Sequence, residues 1–265
     1  MRRILIAILL PFSLASFLAG AQDGGKASPW KPLLPEDAYT ELTARSIKLI
    51  EETSKSTDKS AADRIEVEAA ILTAYSLSSK DAQGKSASLL RGAARKAAEA
   101  ARKGKFKDLA EFGKSIPASA EVKEVKDFKP YLSATEPMMK MFLSKAKGGE
   151  GIHPDLHYQV KLKNLNGIEA LLSSLASKKL NDENLAKVSK ELPLLGYRIA
   201  AVGAITHELA PAKDADKWRA YSITMRDESI RLAESAATKN ADGILKAATA
   251  LENSCIECHS VFKNR

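Results

Sequence analysis

The sequence predicts an all-α protein built from two antiparallel helical bundles, and three observations carry that expectation. Apolar residues recur at steps of three and four along most of the chain, the spacing of a helix with one buried stripe. Alternating runs of β-branched residues are few and aromatics make up only 6% of the residues, so strand signals are nearly missing. Glycine and proline clusters cut the periodic stretches into pieces of helical length.

The elements follow in chain order. Arg2 and Arg3, an apolar run from Ile4 to Leu18 and "AGA" before Gln22 read as a secretory signal peptide over residues 1–21, cut after Ala21. The run is short for a membrane anchor and is broken by Pro11 and Ser13. A periplasmic or otherwise exported protein with no membrane span after cleavage is therefore expected, with about 244 residues left for one large domain or two small ones. The formal charge of +8 falls to about +6 without Arg2 and Arg3. Export and the scatter of the lysines argue against nucleic-acid binding and for a mildly basic, solvated surface.

Residues 36–56 carry Tyr39, Leu42, Ile47, Leu49 and Ile50 at helical spacing, and residues 60–78 carry Ile65, Val67, Ala69, Ile71, Leu72 and Tyr75. An alanine-rich helix is expected over 86–103 and a shorter one over 105–116, stopping before Pro117. Residues 117–158 read as a linker with one short helix in "EPMMKMFLSKA". A second set of four helices is expected over 158–178, 183–209, 214–239 and 241–263, the second of these kinked or restarted at Pro193. The domains so defined are 22–130, a helical bundle, and 131–265. "RIEVEAAIL" from Arg64 and "RIAAVGAIT" from Arg198 suggest an internal duplication, which also pairs Arg91 with Arg226. In that alignment Ala120, Lys123 and Glu124 stand opposite Cys255, Cys258 and His259, so the first copy lacks their chemistry.

Both cysteines of the chain, Cys255 and Cys258, lie in "SCIECHS", followed at once by His259. On a helix, steps of three and four bring these side chains to adjoining turns of one face. Two thiols so placed can bond the two vinyl groups of a haem and leave the imidazole beneath the iron, the signature of c-type attachment. Chance would produce this arrangement in on the order of one chain in ten thousand of this composition. A thioredoxin-like dithiol, a zinc site completed by His153, His157 or His207, and a structural disulfide are the rival readings. The first lacks its strand and helix start, the second lacks further cysteines, and the third closes only a tiny ring. Ile244, Ala248, Leu251, Cys255, Cys258 and Phe262 share one stripe, which places the thiols on the buried face.

A C-terminal helix ending "CIECHSVFK" and preceded by three others resembles the class II c-type cytochromes, the cytochrome c′ group of four-helix bundles. The resemblance covers roughly residues 158–265. It implies one covalent haem c, thioethers at Cys255 and Cys258, and His259 as the proximal iron ligand, with Phe262 and Lys263 where that family carries an aromatic and a basic residue. It implies no enzymatic turnover. Electron transfer with a redox partner protein, acidic if the chain's charge guides docking, is the leading expectation. Binding of a small gas at a five-coordinate iron is the alternative, and a haem-stabilised interaction module a third. Relatives often pair through their first two helices, so a homodimer is an implied arrangement. Matching "YQVKLKNLNG" to the first helix of the family puts Tyr158 or Val160 on the distal side, with His157 a turn away. Met225 and the cluster Met138, Met139 and Met141 are the other sulfur candidates, and at such spacings methionine reads first as core filler. His207 is expected at a helix end, facing its dipole. "GGEGIHPD" lacks the strand, helix and lysine of a phosphate loop.

Overall fold

The computed structural model describes residues 29–30, 34–56, 58, 60–157 and 166–262. The signal peptide, Tyr158, Val160 and Lys263 lie outside the described residues.

Among the described residues there are ten α-helices and no strand. Four form the first half: α1 (Glu36–Thr53), α2 (Ala61–Leu77), α3 (Lys85–Arg102) and the single turn α4 (Phe112–Ser115). Then α5 (Thr135–Lys140) lies against α2, followed by α6 (Ile168–Ser177), α7 (Asp182–Val188), α8 (Glu191–Glu208), α9 (Ala215–Ala237) and α10 (Ala241–Phe262). No helix of the described residues is long and apolar enough to cross a membrane. The break before α8 falls at Ser189 and Lys190, so Pro193 sits in the first turn of a new helix, where its missing N–H costs no hydrogen bond.

The helix expected over 105–116 is instead a chain of short turns: Phe106–Leu109, α4 and Ile116–Ala118. Gly104, at φ 67°, ends α3 in the left-handed region, and Pro117 lacks the N–H a continuing helix needs. Residues 120–123 then cross α3 as an extended strap. Val122 donates its N–H to the Ser88 carbonyl at 3.0 Å. Fully buried Arg91 donates Nε to the Val122 carbonyl at 2.6 Å, Nη2 to that of Lys123 at 3.2 Å and Nη1 to that of Ala82 at 2.9 Å. A Cβ on Gly92 would lie 1.7 Å from the Ala120 carbonyl oxygen, so only glycine admits the strap. The segment aligned with the Cys255–His259 motif is thus backbone pinned to α3 in the first half.

α2 and α8 are the central helices. Every residue from Ile65 to Ser76 and from Gly196 to Thr206 is buried, because these stretches are apolar all round. They meet each other, α3 and α1 pack on α2, and α9 packs on α8. α8 and α9 approach closely because Gly196 faces Ser229 and Ala233, and Gly203 faces Ser222 and Arg226. α10 packs antiparallel on both α9 and α6. Phe262 meets Trp218, Lys179 binds Asp242 at 2.7 Å and Thr249 donates to the Ala176 carbonyl at 3.3 Å.

Charges inside these apolar helices need partners, and the junction between α2 and α8 supplies them. Arg198 of α8 donates to both carboxylate oxygens of Glu68 on α2, and to Glu150 at 2.6 and 3.0 Å. Its Nη1 also reaches Ser46 of α1 at 3.4 Å. Glu150 arrives on a tight turn that the glycines of "GGEG" make feasible: Gly148 and Gly151 take φ 84° and 73°. Nearby, Arg45 of α1 grips Glu191 of α8 with two bonds of 2.6 and 3.1 Å.

Burial first, and then the negative charge of Glu68, push the Glu150 carboxyl up to about 7, against the pull of Arg198. An unfolded glutamate titrates near 4.3. The folded value is the higher one, so this stabilising contribution is complete at acid pH and is lost as pH rises through about 7. The urea midpoint is expected to fall between about pH 5.5 and pH 8.5, and Glu150→Gln to flatten that fall. Equal slopes in the two proteins would refute the assignment to Glu150.

Candidate functional site

α10 runs unbroken from Ala241 through Phe262, so Cys255, Cys258 and His259 lie within one continuous helix. At about 100° per residue they share an arc of roughly 100° with Leu251 and Phe262. Asn240 starts the helix, its side-chain oxygen accepting the Gly243 N–H at 3.0 Å. Ile244, Ala248 and Leu251 are sealed in the core, Cys255 and Cys258 are half-buried, and His259 is exposed. Ile256 beside them is 61% exposed. The apolar stripe therefore carries the two thiols and the imidazole out of the core together, toward one side.

Three features bear on the uses open to these groups. The cysteines are free thiols, not a disulfide. Burial, and then the charges of Cys258, Glu169 and Glu252, push the Cys255 thiol up to about 11; burial raises Cys258 as well. Thiols held protonated at neutral pH, and placed at the end of a helix instead of its start, are poor at disulfide exchange. Among the described residues, the one group whose ligand atoms converge as an ion requires is His153, Asp155 and Glu191; Cys255, Cys258 and His259 are not brought together in that way. The zinc reading thus loses its geometry. The two sulfurs and the imidazole are instead set at separate points along one arc of α10. No hydrogen bond or ion pair among the described residues engages the His259 ring.

The surroundings of the motif come from three helices. Glu169, in the first turn of α6, acts on Cys255 through its charge, so α6 begins level with the thiols. On α9, Trp218 touches Phe262 with ring centroids 5.1 Å apart, and Met225 follows one heptad later on the same face, partly buried against the core. The charges nearest Cys255, Glu169 and Glu252, are acidic, so the chain's positive total does not form a basic rim there.

His157 is not at this end. It closes the 3-10 turn Pro154–Leu156, which packs on α7 and α8, and His153 at the start of that turn lies 3.9 Å from Glu191 in the first turn of α8. α8, α9 and α10 run antiparallel, so the first turn of α8 is level with the start of α10. Ala241 and His259 are about 27 Å apart along the axis. The bundle length thus separates His157 from His259. At the convergence of His153, Asp155 and Glu191, both oxygens of Glu191 accept bonds from Arg45, so a guanidinium already neutralises that carboxylate. His207 is in the last turn of α8, as expected, with Nδ1 3.1 Å from Glu208. Met138 and Met141 are buried core, far from the motif in the packing of α5 on α2.

Sequence reading missed Arg198, Glu68 and Glu150 as a unit, and Trp218 as a neighbour of the motif. The available signal for the first was a glutamate and an arginine inside helices apolar on every side. Comparison with protein-family models, curated proteins and solved structures finds no match.

Proposed function

We propose that this chain is an exported monohaem c-type cytochrome acting in electron transfer. Cys255 and Cys258 hold the haem through thioethers and His259 is its proximal iron ligand. The observation that carries the reading is the unbroken run of α10 through Cys-x-x-Cys-His, with both sulfurs and the imidazole on one arc and not convergent on an ion. When bound, the group supplies a one-electron iron couple. The chain's own residues hold and orient it: α9 and α6 flank the motif, and the buried stripe below Cys255 excludes water from one side. The antiparallel run of α8, α9 and α10, with α6 packed on α10, is the helical frame on which a cytochrome c′-like bundle is proposed for the C-terminal half. The partner is a redox protein docking at the end of the bundle where α10 finishes.

Gas binding at a five-coordinate iron is the second reading. It is favoured by the placement of His157 at the far end of the bundle, which removes the one histidine offered as a sixth ligand. The optical spectrum of the reduced protein, with and without carbon monoxide, separates the two. Electron transfer at a six-coordinate iron is expected to leave the spectrum indifferent to the gas; a high-spin spectrum that shifts selects gas binding. His259→Ala is expected to abolish the axial signature in either case, and its retention would refute the ligand assignment.

A further inference from the structure

We infer that Trp218 is a positioning residue for the haem-bearing turn, clamping the end of α10 to the end of α8 and so fixing the direction of the His259 ring. This rests on the haem reading above. Trp218 lies in the first turn of α9, and its indole N–H donates to the Thr206 carbonyl at 2.6 Å. Thr206 is itself held in the last turn of α8, buried, with its hydroxyl donating to the Gly203 carbonyl at 2.9 Å. The indole meets Phe262 edge to face, at 85° between the rings. Phe262 is three residues beyond His259 and four beyond Cys258, one helical turn away on the same face.

One side chain therefore ties three helix ends together at the level of the motif. A helix terminus frays unless packing holds it. In the last turn of α10, Phe262 packs against Trp218. The connection that brings Trp218 back onto Thr206 is itself constrained, since Asp214 takes φ 58° immediately before α9. A loosened last turn would leave the His259 imidazole less firmly directed toward a haem that Cys255 and Cys258 would hold, and so would change the potential that haem would have.

The test uses the full chain, haem-loaded, with Trp218→Leu and Trp218→Phe. Both are expected to retain covalent haem by mass. Trp218→Leu should shift the midpoint potential and the axial features of the ferric spectrum, and Trp218→Phe, which keeps a ring against Phe262, should return part of that shift. Haem-loaded Trp218→Leu with the potential and spectrum of the parent would overturn the proposal. Hydrogen exchange over residues 255–262 is the second measurement and does not need haem. It should accelerate in Trp218→Leu relative to the parent, and unchanged exchange would overturn the clamp. Failure of the parent protein to acquire haem would instead refute the reading on which the clamp's redox role rests.

Discussion

Arg198→Met is expected to destabilise the fold by about 3 to 5 kcal/mol, because it leaves Glu68 and Glu150 facing each other with no cation between them. Natural domains are stable by only about 5 to 15 kcal/mol, so this single change consumes much of the margin. The deficit should shrink on acidification, as the carboxyls take up protons and the buried charge disappears. Replacing Arg198, Glu68 and Glu150 together by apolar residues of similar volume should recover most of the loss, since the penalty comes from unpaired charge more than from the missing bonds. Urea midpoints of the single and triple variants at two pH values check this. A single variant as stable as the parent would show that the junction does not depend on the pair.

Gly203→Ala should also destabilise, against the usual helix preference. Alanine gains roughly 1 kcal/mol over glycine inside a helix. Here its Cβ would lie 2.7 Å from the Arg226 nitrogen and 2.9 Å from the Ser222 carbonyl oxygen, backbone atoms of α9 that no rotamer change can move. Overpacking of this kind costs about 1 to 3 kcal/mol, enough to reverse the sign. Gly196→Ala meets the Ser229 carbonyl oxygen at 2.8 Å and should behave alike. The spacing these glycines set also decides where Trp218 reaches Thr206, so the double variant should loosen the end of α10 as well. A rise in thermal midpoint would contradict the close approach.

Much of this architecture was legible in the sequence, because its long helices announce themselves by periodicity. α1, α2, α3, α9 and α10 begin and end within a few residues of the expected limits. The restart near Pro193 followed from the chemistry of proline alone. Periodicity failed over residues 105–116, where apolar spacing continues but Gly104 and Pro117 end the backbone pattern on either side. It also carries no information about which end of the bundle a loop visits. His157 is close in sequence to the first helix of the second half, yet it lies beside the first turn of α8, at the other end of the bundle from the thiols. The pairing of Arg198 with Glu68 joins residues 130 apart, and no local pattern encodes it.

The helical placement of Cys-x-x-Cys-His was legible in the sequence, since steps of three and four fix its face once a helix is granted. The structure adds that burial raises both thiols, that they do not converge on an ion with His259, and that α6 and α9 flank them. Mass spectrometry of the C-terminal proteolytic peptide, from protein exported by a bacterium able to mature c-type haem, tests the central claim most directly. The account expects the peptide containing Cys255, Cys258 and His259 to carry the mass of one haem, with neither thiol open to alkylation. A peptide with two alkylatable thiols and no haem would contradict it.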